Sequence, residues 1–338
     1  MTGPTRSTFL LNSPFKKGPS MKRFFQIFVL AGMILAGMVQ ADLSAAEVTF
    51  EKSDGSVKVL IDGQHFTTYN FSYAMKPIFW PVYSPNGKGL TRDYPMKDPR
   101  PAQFPFDSYD HIHQRSVWFT HGNVNGHDFW HELPGKSSGL IEHQEFTKFE
   151  APSFTSINLW KFRPNNEILL TEERTCTFGA DAHGRWMDLE IKLIATHGDV
   201  TFGDTKEGTM GVRVPGVLEV NKKQGGKITN AEGLTDDAAW GKRSPWVDYS
   251  GIIDGQNCGV AIMNHPTSER FPTYWHVRTY GLFAANPFGV RDFTKDPKQN
   301  GALTVKNGDS ITFKYRLYFH NGNTEEAEIA QNYESYAK

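Results

Sequence analysis

The chain has 338 residues, of which 38% are hydrophobic, 22% charged and 13% aromatic, and its formal net charge is −1 at pH 7. The aromatic content and the low net charge exclude a disordered chain, and they also exclude a bulk electrostatic attraction to nucleic acid or anionic lipid. Two cysteines are too few for a disulfide scaffold, and Cys176 and Cys258 could either pair in an oxidising compartment or remain buried thiols.

The N-terminal segment has the pattern of a secretory signal peptide. Residues 21–23 supply a short positive start, residues 24–39 are almost all apolar, and Ser44-Ala45-Ala46 fits the small-residue rule for cleavage. A single membrane anchor is the alternative, because the apolar run approaches spanning length. We predict an upstream extension plus signal peptide over 1–46, and a periplasmic or secreted mature protein over 47–338. That mature part is expected to form one domain and to stay out of the membrane after cleavage.

The rest of the chain favours β-structure, since apolar and polar residues alternate with a period of two. Strands are predicted, in chain order, at Val57–Ile61, Ile168–Phe178, Trp186–Ala195, Gly259–Met263 and Ser310–His320. Asn-Gly and Asp-Gly turn signals recur between them. The best helical pattern is at Thr324–Tyr336. The residues therefore predict an all-β fold, a large antiparallel two-sheet β-sandwich with a short C-terminal helix.

The most chemically suggestive segment reads DHIHQRSVWFTHGNVNGHDFWHE and spans residues 110–132. If it begins as a strand, His111, His113 and Arg115 point to one face, and His121 joins them if the strand continues. Trp118 and Trp130 supply flat apolar surface on which sugar rings could stack. These side chains are therefore candidates for binding and catalysis.

Three interpretations of this segment remain open. A single divalent metal could be held by His111, His113 and His121, with Asp128 and Glu132 as further donors, although no established metal motif is present. The same side chains could form a polar active site without a metal. The histidines could also be structural, which fits His127 and His131 best because they lie in a Gly-rich loop. No cofactor is certain from the sequence.

Two later segments add acid and base candidates. Asp204 and Glu207 lie among glycines in residues 203–211, where an unusual backbone could present them for proton transfer; the alternative is an exposed polar turn. His265 follows the strand at Gly259–Met263 and could act from the end of a sheet. A single histidine there could equally be structural.

The segment TYWHVRTYGLFAANPFGVRDF completes the set of candidates. On a strand, Trp275 and Val277 share one face while His276 and Arg278 share the other. His276 and Arg278 could bind a carboxylate, a keto oxygen or sugar hydroxyls. Asn286 begins a tight turn and is a further substrate-binding candidate.

Four stretches together resemble a known family of exported bacterial proteins. They are DHxHxRSxWFxHGxVNGxDFW, GDTKEGxMGVRVP, the Asn-His-Pro after a strand, and WHVRxYGLFAANPFG. The family is labelled "methane oxygenase PmoA", and the resemblance covers most of residues 55–336. The methane monooxygenase subunit of that name is a polytopic membrane protein, whereas the mature chain has no spanning segment. The family is similar in fold to galactose mutarotases, which implies a galactose-mutarotase-like sandwich and a carbohydrate substrate.

Three functions follow as expectations. The first is a carbohydrate-active enzyme, a hydrolase, lyase or epimerase, in which Asp204 or Glu207 pairs with His113, His121 or His265. Arg115 or Arg278 would hold the sugar or other small-molecule substrate. The second is a metal-dependent oxygenase or hydrolase built on the His-rich segment, and the third is a non-catalytic sugar-binding protein. No nucleic-acid partner is expected.

Overall fold

The structure is a computed structural model that describes Gly3 and residues 46–97, 106–132 and 138–338. The predicted signal peptide lies outside the described residues. Within them, no helix combines the length and apolar character that a membrane span needs.

Two eight-stranded antiparallel sheets dominate the described part of the chain. The first sheet contains, in spatial order, β1 (Val48–Ser53), β2 (Ser56–Ile61), β3 (Gln64–Asn70), β4 (Ile78–Val82), β5 (Val117–His121), β11 (Gly208–Arg213), β16 (Leu282–Asn286) and β15 (Tyr274–Val277). The second contains β12 (Lys227–Asn230), β13 (Trp246–Ile253), β14 (Gln256–Asn264), β18 (Ser310–Asn321), β9 (Gly184–Ile194), β8 (Glu167–Ala180), β7 (Ser153–Phe162) and β6 (Gly139–Glu150). A small ribbon pairs β10 (Val200–Phe202) with β17 (Leu303–Val305).

The main core lies between the two sheets. Val117 and Phe119 of β5 point into it, and Phe119 meets Phe313 of β18 with ring centroids 6.0 Å apart. Alternation then sends Trp118 and Thr120 to the opposite face of the first sheet. We call that opposite face the open face; it also carries Gly211, Ala284 and His276 from the neighbouring strands.

Two short α-helices and three 3₁₀ turns (Gly216–Leu218, Val220–Lys222 and Asp236–Ala239) complete the described secondary structure. Helix α1 (Val290–Thr294) follows β16, and helix α2 (Ile329–Tyr336) ends the chain. Ala327 and Ile329 pack on the outer side of the second sheet, against Met263 and Tyr318. The C-terminal segment thus covers apolar surface that this sheet would otherwise expose.

The sandwich prediction is confirmed, and each predicted strand is present within a few residues of its predicted ends. The C-terminal helix begins at Ile329, later than predicted, because residues 322–328 form a turn in which Asn323 and Glu326 bond to the backbone. Cys176 and Cys258 are buried free thiols. One prediction is wrong: residues 111–116 are not a strand, since β5 begins only at Val117.

Candidate functional site

The two histidines His111 and His113 lie in a tight loop before β5. The N–H of Gln114 donates to the carbonyl of His111 (2.9 Å), and His111 has a left-handed φ of 47°. The buried Arg92 guanidinium fixes this loop, because it donates to Asp110 Oδ1 (2.7 Å) and to the His111 carbonyl (3.0 Å). The rings of His111 and His113 therefore lie close, with centroids 5.7 Å apart, although no strand places them.

Asp128 and His131 form a hydrogen-bonded pair beside these rings. Asp128 Oδ1 accepts from the backbone N–H groups of Trp130 and His131, and its Oδ2 lies 2.7 Å from His131 Nδ1. This contact raises the pKa of His131, chiefly through the hydrogen bond to the carboxylate. The His131 side chain is 30% exposed, and no partner for its Nε2 is present among the described residues. An oriented imidazole with one available nitrogen suits proton transfer near neutral pH.

His113 lies against this pair, with its ring centroid 4.7 Å from that of His131. It is only 4% exposed, and its burial, together with the charges of His131 and Lys76, lowers its pKa to about 2. His113 is therefore neutral at physiological pH. Its Nδ1 has no hydrogen-bond partner within the part of the chain that the structure describes. Because the Nδ1 atom is itself buried, it is an unsatisfied polar atom in the wall of the site and not a group that a ligand reaches in this structure.

Below the histidines, a buried carboxylate joins two cations. Glu132 binds Lys76 Nζ through Oε1 and Arg115 Nε through Oε2, the latter at 2.7 Å. Burial acts to raise the pKa of Glu132, but the two cations outweigh it and leave the pKa lowered. Arg115, expected to hold substrate, instead uses its Nε to fix the residue next to His131. The Arg115 guanidinium also packs over the ring of Tyr73, with its central carbon 5.8 Å from the ring centroid.

A second loop brings Glu207 to the same face. Its carbonyl accepts the N–H of Gly122 (2.7 Å) at the end of β5, and its carboxylate pairs with Lys206 Nζ. The Glu207 side chain is 20% exposed. Its negative charge acts to raise the pKa of both His131 and His276, so it lies within electrostatic reach of both rings. His276 Nδ1 donates to the carbonyl of Lys206 (2.8 Å), and burial lowers the pKa of His276 to about 4.

The far side of the site is made by the turn after β15. The ring of Tyr280 stacks on His111 with centroids 5.4 Å apart and an angle of 10° between the planes. The Arg278 guanidinium lies over the rings of Tyr280 (5.5 Å) and Trp240 (5.9 Å). His111, Tyr280 and Arg278 thus form a continuous wall beside the histidine pair.

Four predicted catalytic or binding residues are structural in this arrangement. His121 points to the core side, where its Nε2 donates to the Gly203 carbonyl (2.8 Å) and burial lowers its pKa to about 4. Asp204 accepts from the N–H groups of Gly301 and Arg291. Asn286 donates to the Thr205 carbonyl and accepts from the Phe288 N–H, so it holds the loop that carries Glu207. His265 bonds Thr267 and contacts Tyr336 of α2, on the side of the second sheet.

The structure does not bring the three predicted metal-binding histidines together, and it buries the two tryptophans predicted to stack on a sugar. His121 lies on the other side of the first sheet from His113, so the three predicted histidines do not converge. Among the described residues, no group of three or more His, Cys, Asp or Glu side chains is placed to hold a metal ion. Trp118 and Trp130 are 1% and 0% exposed, and they form a buried floor because they pack with Ile78, Met96 and Leu282.

Sequence reasoning missed the residues that complete the site. For His131 the sequence leaves three interpretations open and fits a structural role best, yet the Asp128-x-x-His131 spacing, in which the Asp128 carboxylate accepts from the backbone N–H of His131, is a usable signal. Lys76 and Tyr280 come from distant loops. The alternation expected over residues 274–280 puts Tyr280 on the same face as His276 and Arg278, whereas no local pattern marks Lys76.

A separate cavity of about 440 Å³ lies beside β4, between Trp80, Tyr83 and Asp93. The Nε1 of Trp80 donates to Asp93 Oδ1 (3.0 Å) in its wall. None of the predicted site residues lines this cavity. The chemically equipped groups therefore lie on the open face rather than here.

Comparisons with known proteins give a family and a set of distant structural likenesses. A family model described as "Family of unknown function (DUF6807)" matches residues 56–334. No curated protein matches the chain. None of these comparisons shows the methane oxygenase label that the resemblance implied.

Two of the solved structures that are similar to the chain come from bacteria. A galactose mutarotase-like protein from Lactobacillus casei ATCC 334 has a TM-score of 0.39 and 7% identity, over 81% of this chain and 100% of that one. A protein proposed to be an aldose 1-epimerase from Escherichia coli K12 has a TM-score of 0.32 and 12% identity, over 82% and 100%. At these TM-scores the likeness carries no weight for the chemistry of the site.

Proposed function

The chain belongs to the DUF6807 family, whose function is unknown, and we propose that it is an exported enzyme that performs acid–base chemistry on a sugar or glycan. The observation that carries the proposal is the His131–Asp128 pair on the open face, within electrostatic reach of Glu207. Export rests on the signal-peptide pattern of residues 1–46.

His131 and Glu207 have complementary roles in proton transfer. The raised pKa of His131 shifts its imidazole toward the protonated form, which can give a proton. Glu207 lies beside Lys206 Nζ, and its carboxylate can take one. Asp128 orients the imidazole and stabilises the imidazolium, as a carboxylate partner does for other catalytic histidines.

The reaction type follows from which carboxylates are available. Most glycosidases use two carboxyl groups on opposite sides of the scissile bond. Here Asp110 is paired with two arginines, Glu132 with Lys76 and Arg115, and Asp128 with His131, whereas the one cation partner of Glu207 among the described residues is Lys206, which is partly exposed. A histidine–carboxylate pair remains, and it favours an epimerase or lyase, which move a proton at a sugar carbon, over a two-carboxylate hydrolase.

The neighbouring groups would hold a polar ring in place. His111 with Tyr280 offers a partly exposed aromatic edge on which a sugar ring can stack. The buried Trp130 forms the floor of the site, and its apolar ring lowers the local dielectric constant. A lower dielectric constant strengthens the polar contacts made above it.

The test is conversion of a panel of sugars, keto-sugars and plant or algal glycans by the purified protein and its variants. His131→Gln and Glu207→Gln should each lower the rate about 10²–10⁴-fold, the range for loss of a general acid or base. The matched control is His127→Gln, because His127 lies in the same segment but stacks on Phe162. Activity that survives both substitutions contradicts the proposal. Binding of a panel sugar without conversion by the wild type would instead support a non-catalytic binding protein.

A further inference from the structure

Arg278 differs from the other cations around the open face. Arg92 and Arg213 pair with Asp110, Arg115 pairs with Glu132, and Lys206 pairs with Glu207. Arg278 has no carboxylate partner among the described residues, and its side chain makes only the two ring contacts with Trp240 and Tyr280. An ordered guanidinium without an anion suggests that an anion is supplied from outside.

Two aromatic rings flank the guanidinium, whose carbon lies 5.5 Å from the Tyr280 centroid and 5.9 Å from the Trp240 centroid. A guanidinium that lies over aromatic faces keeps its N–H groups, which point outward in its own plane, free for a planar acceptor. The backbone supports this placement, because the N–H of Arg278 donates to the Leu282 carbonyl (2.7 Å) and its carbonyl accepts from Gly281 (3.0 Å). The site is thus organised before a ligand binds.

Arg278 also lies next to the groups assigned to proton transfer. Tyr280, which it contacts, stacks on His111. Its charge acts on His276, which is bonded to the loop of Lys206 and Glu207. Arg278 and Glu207 therefore both lie within electrostatic reach of His276, which puts an anion bound to Arg278 on the same side of the site as the Glu207 loop.

We propose that Arg278 binds the carboxylate of a uronic acid, so that the substrate is a uronate or a uronate-containing glycan. This inference rests on the proposed function for its substrate class. A carboxylate fits the planar, two-pronged N–H pattern of a guanidinium better than a hydroxyl does. A carboxylate neutralised by Arg278 also makes the proton on the adjacent ring carbon easier to remove, which is the proton that an epimerase or lyase must take.

The experiment measures binding by calorimetry to the purified protein. The probes are glucuronate, galacturonate, mannuronate, guluronate and short oligomers of each, with the methyl ester of each as the matched uncharged ligand and a sulfated sugar as a second anion. The wild type should bind at least one acid about 10–100-fold more tightly than its ester, the equivalent of a charge-assisted hydrogen bond. Arg278→Gln should remove that difference and leave ester binding unchanged.

Two variants serve as controls and separate this inference from the proposed function. Lys295→Gln removes another cation over the Trp240 ring (4.4 Å) and should preserve the preference for the acid. His131→Gln should bind the acid as the wild type does while losing conversion. Equal binding of acid and ester, tighter binding of the sulfated sugar, or no binding of any uronate overturns the carboxylate site. Acid binding through Arg278 with conversion unaffected by His131→Gln would overturn the proposed acid–base function instead.

Discussion

At the scale of single residues, Asp128 has the largest influence on the chemistry of the open face. Its two oxygens bond the backbone of residues 130 and 131 and the imidazole of His131, so one carboxylate sets both the position and the protonation of that ring. Exposed ion pairs contribute little to stability, but a hydrogen bond that fixes a tautomer changes reactivity.

The first prediction concerns the pH dependence of activity in Asp128→Asn. Because Asp128 raises the pKa of His131, its loss should lower that pKa, so His131 deprotonates at a lower pH. The basic limb of the kcat/KM profile should therefore move to lower pH, and the maximal rate should fall about 10–100-fold. Asp199→Asn, which removes a surface pair with Lys306, is the control and should leave the limb in place. A basic limb that stays at its wild-type pH in Asp128→Asn means that His131 is not the acid.

At the scale of elements, the strands were predictable and the loops that build the site were not. Ser310–Asn321 alternates in the sequence because one side meets the core and the other does not, and this local rule is enough to identify it. His111 and Ser116 adopt left-handed backbone conformations in the loop before β5, which no alternation reveals. That loop is set by Arg92, a residue from another part of the chain, so its shape required the tertiary structure.

The faces on which the side chains of β15 lie were predictable from the sequence. Trp275 and His276 were expected on opposite faces of one strand, and the structure places Trp275 in the core and His276 on the open face. His121 followed the same rule but belonged to the core face, since it shares parity with Val117 and Phe119. The error came from extending one strand back to His111 across a turn.

The second prediction concerns how β11 supports the floor of the site. Gly211 lies opposite Trp118 of β5, and a Cβ at this position would approach ring atoms of Trp118 to 2.6 Å. Gly211→Ala should push Trp118 toward Trp130 and lower the free energy of unfolding by about 1–3 kcal/mol, the usual cost of overpacking. Urea unfolding followed by circular dichroism measures it.

The matched control for Gly211→Ala uses a smaller ring. In a Trp118→Phe background the same substitution should cost much less, because the clashing part of the indole is gone. An equal cost in both backgrounds would show that the alanine acts through the backbone of β11 instead of through Trp118.

At the scale of the whole molecule, three histidines are buried in a neutral state. Burial is the largest cause in each case, and it lowers the pKa of His121 and of His276 to about 4 and that of His113 to about 2. In the unfolded chain each has a pKa of about 6.5. Between pH 6.5 and 4 these three histidines therefore bind more protons in the unfolded state than in the folded one, and their contribution to stability falls as the pH falls.

The third prediction follows from that difference in proton binding. Each of the three histidines should remove about 1.4 kcal/mol of unfolding free energy per pH unit once the pH is well below 6.5, until the pH reaches its folded-state pKa. His131 acts with the opposite sign: its raised pKa gives stability at low pH that is lost as the pH rises through the folded value.

Urea unfolding at pH 7, 6 and 5, with proton uptake measured by calorimetry in buffers of different ionisation enthalpy, should show net uptake on unfolding at pH 5. His121→Gln keeps a donor for the Gly203 carbonyl and should reduce that uptake by nearly one proton. Unfolding at pH 5 with no net proton uptake would contradict the burial of these three rings in their neutral form.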